Sequence, residues 1–188
     1  MMKMGPLAVA VMGLLAEEPR HPYDIAYTMQ TRRMTEHIKL SMGTLYRVVE
    51  QLQRLGWIRP TETAREGRRP ERTTYALTPD GHRELLDRIR ALLAQPGREY
   101  SAFEAGLTFM HQLPAAEAAG LLRRRAEALG EQIELWDYGL EQLCRRGLTR
   151  LALIEVELVQ DTRRFQREWA LRIADEIERG TLEWEVHK

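Results

Sequence analysis

Residues 41–58, SMGTLYRVVEQLQRLGWI, carry the clearest structural signal in the chain. Ser41 is a typical helix N-cap, because its hydroxyl can accept a hydrogen bond from an amide of the first turn. Gly56 marks the end of the helix, as glycine commonly does. Between them the apolar residues recur on one helical face, at Leu45, Val48, Val49, Leu52 and Leu55. The stretch therefore predicts an amphipathic helix with one buried face and one exposed face.

Two shorter helices are predicted before this one. Pro6 opens an apolar run over residues 7–15, which is typical of a largely buried helix. Pro22 begins a second helix with Asp24 in its first turn, where the helix dipole favours negative charge. The amphipathic helix is thus the third.

After Gly56 the pattern changes to that of a β-hairpin followed by a helix. Residues 57–59 and 73–77 are short β-prone runs, and the polar segment 64–72 between them forms the tip. Thr78-Pro79 is a strong helix start, and Pro96-Gly97 marks a domain boundary. Three helices, a hairpin and a further helix predict a winged helix-turn-helix domain over residues 1–95.

Residues 96–188 are predicted to be helical throughout. Apolar residues step by four and three from Ala115 to Leu143, a pattern typical of a coiled-coil seam or a long bundle helix. Gly147 interrupts it, and a last helix runs from Leu148 to about Arg179. Two such helices cannot cover each other's apolar stripes, so a second copy is expected to cover them. The dimerisation residues are then Leu122, Leu129, Ile133, Trp136, Leu140 and Leu143.

The predicted fold class is therefore mainly α, with an N-terminal winged helix-turn-helix that has a two-stranded wing, plus long C-terminal dimerisation helices. The net charge of zero alone would argue against a nucleic-acid binder. However, residues 1–95 carry a net charge of +4 and residues 96–188 a net charge of −4. Residues 20–72, the part expected to face DNA, carry a net charge of +5. The net charge of zero is therefore the sum of two oppositely charged parts, which are expected to have different partners.

The exposed face of the third helix presents hydroxyl, amide and basic groups, at Ser41, Thr44, Tyr46, Arg47, Gln51 and Arg54. A recognition helix reads base edges from its N-terminal turns, so Thr44 and Arg47 are candidates for base contact. Ser41 and Tyr46 suit phosphate contacts. The alternative is an ordinary amphipathic helix whose polar face is solvated.

The predicted wing tip is rich in arginine, with Arg65, Arg68, Arg69 and Arg72 against Glu66 and Glu71. A basic tip that follows a candidate recognition helix would lie along the DNA backbone or minor groove. The alternative is a solvated turn.

Composition excludes several other classes of protein. A lone cysteine, Cys144, allows neither an intrachain disulfide nor a thiolate-rich zinc site, and the histidines lack metal-ligand spacing. No glycine-rich phosphate loop, nucleophile elbow or paired-carboxylate motif points to an enzyme. The longest uncharged stretch, Met4 to Ala16, is too short to span a membrane. We expect a cytoplasmic protein without a metal, a cofactor or a membrane contact.

Four segments resemble the PadR family of bacterial transcriptional regulators: residues 21–25 (HPYDI), 41–46 (SMGTLY), 52–58 (LQRLGWI) and 67–81 (GRRPERTTYALTPDG). The resemblance covers roughly residues 5–95, and residues 98–185 are similar to the C-terminal dimerisation domain of the longer subfamily. It implies a homodimeric repressor whose winged helices bind a palindromic operator. It also implies a small effector, often aromatic or phenolic, that releases the DNA.

The resemblance also implies roles for particular residues. Tyr23, Ser41, Thr44, Tyr46 and the wing arginines match the family's DNA-contacting segments, and Gly43 lets the backbone come close. Two positions depart from the family, because Pro22 replaces the usual glycine and Arg47 replaces a common proline. The base preference of relatives therefore does not carry over.

Two alternatives stay open. Trp136 and Trp169 lie on the apolar stripes, where core packing is one interpretation and an effector pocket is the other. The winged helix could also serve as a protein-interaction module without specific DNA binding.

Overall fold

The computed structural model describes residues 5–64, 72–97 and 101–184. The chain divides into two compact units, Met1–Arg98 and Glu99–Lys188, which are described separately below. The first contains helices α1 (Pro6–Glu17), α2 (Pro22–Thr31), α3 (Met42–Arg54) and α4 (Pro79–Ala94), and strands β1 (Ile58–Ala64) and β2 (Arg72–Leu77). The second contains helices α5 (Ala102–Thr108), α6 (Ala115–Arg145) and α7 (Ile154–Glu178). Short 3₁₀ turns occur at Met34–Glu36, Met110–Gln112 and Arg150–Leu153.

Side-chain caps begin three of the four helices of the first unit. The Ser41 hydroxyl accepts a hydrogen bond from the Thr44 amide at 3.2 Å, and the Thr78 hydroxyl accepts one from the Gly81 amide at 3.0 Å. Both caps confirm the sequence predictions. The start of α2 has a cap that was not predicted, because the Nδ1 atom of His21 accepts a hydrogen bond from the Tyr23 amide at 3.1 Å.

The core of the first unit lies between α1, α2 and α3. Its fully buried members are aliphatic side chains or methionines, namely Val11, Met12, Ile25, Met29, Leu45, Leu52 and Ile58. Trp57 and Tyr75 pack against this cluster from the wing, as does Leu77. The cluster holds the hairpin and α3 in one body, so the exposed face of α3 has a fixed orientation relative to the wing.

The wing is an antiparallel pair in which Ile58 lies opposite Leu77, with a register shift between Pro60 and Glu62. Strand β1 continues to Ala64, beyond the predicted residues 57–59, because the backbone of residues 62–64 pairs with that of residues 72–74 in β2. The backbone of Arg20 forms an isolated bridge with Tyr75, with both hydrogen bonds at 3.0 Å. The segment between α1 and α2 therefore supports the base of the wing.

Helices α6 and α7 form an antiparallel hairpin in the second unit. Its core is built from small and medium side chains, at Ala119, Leu122, Ala126, Ala170, Ala174 and Ile177. Gly147 has a φ of +87°, so it interrupts the helices as predicted. Regular α-helix resumes only at Ile154, later than the predicted start at Leu148, because the chain first makes a 3₁₀ turn. The fold is mainly α with a two-stranded wing, which confirms the predicted fold class.

Candidate nucleic-acid interface

The two faces of α3 differ completely in burial. Leu45 and Leu52 are wholly buried and Val49 nearly so, which anchors the helix in the core. The opposite face exposes the predicted contact residues Ser41, Gly43, Thr44, Tyr46 and Arg47. The helix, its N-cap and its exposed face were therefore predicted correctly from the sequence. Whether these side chains contact DNA stays a prediction.

Hydrogen bonding links Ser41 and Thr44 at the start of α3. The Ser41 hydroxyl caps the helix by accepting from the Thr44 amide, and the two hydroxyl oxygens lie 2.8 Å apart. Both side chains are exposed, so the linked pair presents hydroxyl groups at the surface of α3.

Arg47 and Gly43 complete the exposed N-terminal half of α3. Among the described residues, no hydrogen bond or ion pair engages the Arg47 guanidinium, which would therefore reach a DNA group without breaking a contact made here. A Cβ on Gly43 would have no heavy atom within 4 Å. Nothing inside the described protein requires glycine at position 43, so the space in front of it is open to a ligand.

Helix α2 exposes two tyrosines. Tyr23, a predicted contact residue, is 58% exposed, and Tyr27 is 59% exposed. Tyr27 was missed by the sequence analysis, although its spacing of four residues from Tyr23 predicts that both lie on one helical face.

Three of the four wing arginines, Arg65, Arg68 and Arg69, lie outside the described residues. The backbone of Arg72 pairs with Ala64 in the hairpin. The wing contacts therefore stay predictions.

Two arginines counted in the basic segment 20–72 are engaged inside the first unit. Arg20 bonds to the Thr28 hydroxyl at 3.0 Å and pairs with Glu18 at 2.8 Å. Arg32 makes a bidentate pair with Glu17 at 2.6 and 2.8 Å. The Arg32 hydrogen bonds hold the pKa of Glu17 below its ordinary value, against the opposing effect of burial. These two charges tie α1 to α2, so part of the net charge of +5 counted over residues 20–72 is balanced by Glu17 and Glu18.

The predicted dimerisation residues separate into two groups. Leu122 and Leu129 are buried within the second unit. Ile133, Trp136, Leu140 and Leu143 are half-buried. Large apolar side chains are instead exposed at Leu151, Ile154, Leu158 and Phe165, which we call the α7 stripe. Ile154, Leu158 and Phe165 are four and seven residues apart and lie along one side of α7, whereas Leu151 lies in the 3₁₀ turn just before it.

The two candidate effector residues make different contacts. Trp169 packs edge-on against Phe103, with ring centroids 5.9 Å apart, and the Arg125 guanidinium lies 3.6 Å from the centroid of the Phe103 ring. Trp136 has the Arg163 guanidinium 5.5 Å from its ring centroid. A groove of about 280 Å³ lies between α6 and α7, and neither tryptophan lines it. The structure thus places Trp136 and Trp169 in separate packing environments.

A buried amide joins α6 to α7 in the part of their hairpin nearer the turn. Gln160 is 1% exposed and donates to the Ile133 carbonyl at 3.1 Å and to the Asp137 carboxylate at 2.8 Å. Arg164 adds two hydrogen bonds to Asp137, at 2.6 and 2.8 Å. Burial opposes ionisation of Asp137, but these hydrogen bonds outweigh it and lower its pKa. This network defines the register of the two helices.

Within the described ranges, no group of three or more histidine, cysteine, aspartate or glutamate side chains is placed to hold a metal ion. No helix in the described part of the chain is long and apolar enough to cross a membrane.

Comparison with known proteins agrees with a winged-helix fold followed by a helical unit. Residues 11–87 match the model of the transcriptional regulator PadR-like family. The chain is similar in structure to Bacillus subtilis PadR in complex with operator DNA, with 20% identity, 91% of this chain and 98% of that chain covered, and a TM-score of 0.74. The complex of Bacillus subtilis PadR with p-coumaric acid gives 18% identity, 92% and 98% coverage, and a TM-score of 0.75.

A PadR-like transcriptional regulator from Bacillus cereus is also similar, with 20% identity, 94% and 99% coverage, and a TM-score of 0.63. At these identities the structural matches show a shared fold. No curated protein matches the chain in sequence. The matched family consists of transcriptional regulators and not of enzymes, which confirms the sequence prediction. Residues 11–87 of the chain thus belong to the transcriptional regulator PadR-like family.

Proposed function

We propose that this regulator is a homodimeric repressor that binds a palindromic operator in the cytoplasm through α3 and the wing. The observation that carries the proposal is the division of α3, whose apolar face is buried while Thr44, Tyr46 and Arg47 are exposed. A helix of this kind enters the major groove with its N-terminal residues against the base edges.

The proposed contacts follow from the chemistry of each side chain. Arg47 offers a planar fork of donors, which suits the two acceptors of a guanine edge. The Thr44 hydroxyl donates to a base or a phosphate, and Tyr46 and Tyr23 donate to phosphates. Gly43 lets the sugar-phosphate backbone approach α3. The wing arginines Arg65, Arg68, Arg69 and Arg72 add phosphate contacts that depend on salt.

The α7 stripe supports the proposal of a homodimer. On α7 itself, Ile154 is 47% exposed, Leu158 is 69% exposed and Phe165 is 66% exposed. Apolar side chains that recur along one side of a helix are typical of a surface covered by another helix. In a symmetric pair, the same stripe on each copy takes part in the interface. Two copies of α3 would then meet half-sites about 34 Å apart or at a multiple of that distance.

A small aromatic or phenolic molecule is the proposed effector that releases the operator. Bacillus subtilis PadR has been crystallised with p-coumaric acid, and this chain shares its fold. Trp169 and Trp136 are the candidate pocket residues in the second unit. The cluster of Phe103, Trp169 and Arg125 supports this proposal, because aromatic rings beside a guanidinium suit an aromatic acid.

Footprinting of the purified chain on DNA upstream of its own and neighbouring genes tests the proposal. We expect one protected inverted repeat, whose protection is lost on addition of a phenolic acid. Replacing Arg68 and Arg69 together by alanine should reduce the salt dependence of binding by about two counterions. Binding that does not depend on salt, or no binding at low salt, would instead favour a winged-helix module that contacts proteins.

A further inference from the structure

The exposed aromatic side chains of the first unit are confined to the helix-turn-helix. This unit has five aromatic residues, and two of them, Trp57 and Tyr75, pack against the core. The other three are Tyr23 and Tyr27 on α2 and Tyr46 on α3, with exposures of 58%, 59% and 48%. An aromatic side chain that is about half exposed or more buries little area within the chain, so its ring adds little to folding.

Tyr23 and Tyr27 lie one above the other on α2. Residues four apart differ by about 40° around a helix, so both rings project from one side. The opposite side holds Ile25 and Met29, which are wholly buried. The core therefore determines which way both tyrosines face. Asp24 is also exposed, but it lies about 60° further round than Tyr27.

We propose that Tyr27 is a second phosphate-contacting residue on α2, which extends the contact of Tyr23 by one helical turn along the DNA backbone. This rests on the proposed DNA-binding function, in which the first helix of the motif crosses the backbone while α3 enters the groove. The Tyr27 hydroxyl donates a hydrogen bond to a phosphate oxygen. Because this donor is neutral, it positions the protein without releasing a counterion.

Tyr27→Phe in the full chain tests this proposal, because it removes only the hydroxyl. On a duplex that carries the footprinted operator, measured by fluorescence anisotropy, we expect the affinity to fall about 2- to 10-fold. The dependence of affinity on salt should stay unchanged. The melting temperature should also stay unchanged, because the ring is exposed. Tyr138→Phe is the matched control, since Tyr138 is 66% exposed in the second unit, and it should bind as the unsubstituted chain does.

Tyr27→Ala removes the ring as well as the hydroxyl, so comparison with Tyr27→Phe separates the contributions of the two groups to DNA affinity. Normal affinity in both variants would overturn the proposal. Normal affinity in Tyr27→Phe with a loss in Tyr27→Ala would overturn the hydroxyl contact and assign the effect to the ring. If the unsubstituted chain binds no duplex, the proposed function fails as well, whereas normal binding by Tyr27 variants removes only this inference.

Discussion

A Cβ atom on Gly81 would overlap the carbonyl oxygen of Trp57. The first turn of α4 is therefore in direct contact with the backbone at the start of the wing. Thr78 reinforces this junction, because its hydroxyl donates to the Gly56 carbonyl at 2.7 Å and its amide donates to the Trp57 carbonyl at 2.9 Å. The position of the wing relative to the core therefore depends on the absence of a side chain at position 81.

Gly81→Ala should destabilise the first unit by about 2–4 kcal/mol, because the methyl group can be accommodated only by moving backbone. Chemical denaturation of the full chain, with hydrogen exchange at amides of residues 57–81 to locate the effect, measures this. Gly120→Ala is the control, since an added Cβ there meets nothing within 4 Å. An unchanged stability in Gly81→Ala would show that the junction relaxes freely.

Gly43→Ala should change stability and DNA affinity in opposite directions. Alanine is a better helix former by about 0.5–1 kcal/mol, and the new methyl group meets no protein atom within 4 Å. The same methyl group would obstruct a DNA backbone that approaches α3, so operator binding should weaken. Thermal melting and anisotropy on the same sample compare the two effects. Affinity that is equal to or higher than that of the unsubstituted chain would place the DNA elsewhere.

Arg47→Ala should weaken operator binding and relax the preference for one base pair. Loss of a bidentate contact to guanine corresponds to about 1–3 kcal/mol. Competition between the operator and single-base variants of it measures the change in preference. Arg124→Ala removes an exposed arginine from the second unit and should leave the base preference intact. A uniform loss on all sequences would mean that Arg47 contacts phosphate only.

The pair of Glu17 and Arg32 should make the first unit sensitive to acid. The Arg32 hydrogen bonds lower the pKa of Glu17 from 4.5, so the folded state binds a proton less readily than the unfolded state. The stability that this pair contributes is fully present above about pH 4.5. It is lost as the pH falls through the lower pKa that Glu17 has in the folded state. Denaturation at pH 7 and pH 3 should show that Glu17→Gln costs stability mainly at pH 7. Glu50→Gln is the control.

Leu158→Asp should separate the proposed dimer without unfolding the chain. Leu158 is 69% exposed, so a carboxylate there costs the isolated chain little but would be buried in the interface. Analytical ultracentrifugation at micromolar concentration should give a species of 21.9 kDa. Leu93→Asp, at an 84% exposed position in the first unit, is the control. A dimer that survives Leu158→Asp would place the interface away from the α7 stripe.

Leu122→Ala provides the complementary test. Because Leu122 is buried against α7, its truncation should cost about 2–5 kcal/mol of stability in the second unit. If instead the dimer dissociates with no change in stability, the interface predicted from the heptad pattern is right.

Local signals predicted the elements of the fold well. The caps at Ser41 and Thr78 and the helix ends at Gly56 and Gly147 depend on neighbouring residues, so the sequence shows them directly. The orientation of α3 was also predictable, because Leu45, Val49 and Leu52 fall on one face. His21 was not recognised as a cap, since imidazole is an uncommon choice for that position.

Contacts between distant residues could not be predicted in the same way. The partners of Arg32 and Arg20 depend on how α1 packs beside α2, and the charge count treated both as free to face DNA. The heptad steps that contain Leu122 and Leu129 are equally typical of a helix covered by its own chain and of one covered by a partner. Only the folded structure shows that the chain itself buries both, Leu122 by packing against α7.

The division of α3 into a buried aliphatic face and an exposed polar face also bears on how such regulators diversify. Positions 43, 44, 46 and 47 make few contacts that the fold requires, so substitutions there carry a small folding cost. If this face contacts the operator as proposed, a duplicated gene could acquire a new operator through a few changes on it, while Leu45, Val49 and Leu52 keep the helix in place. Selection on the choice of operator and selection on folding would then act on separate residues of the same helix.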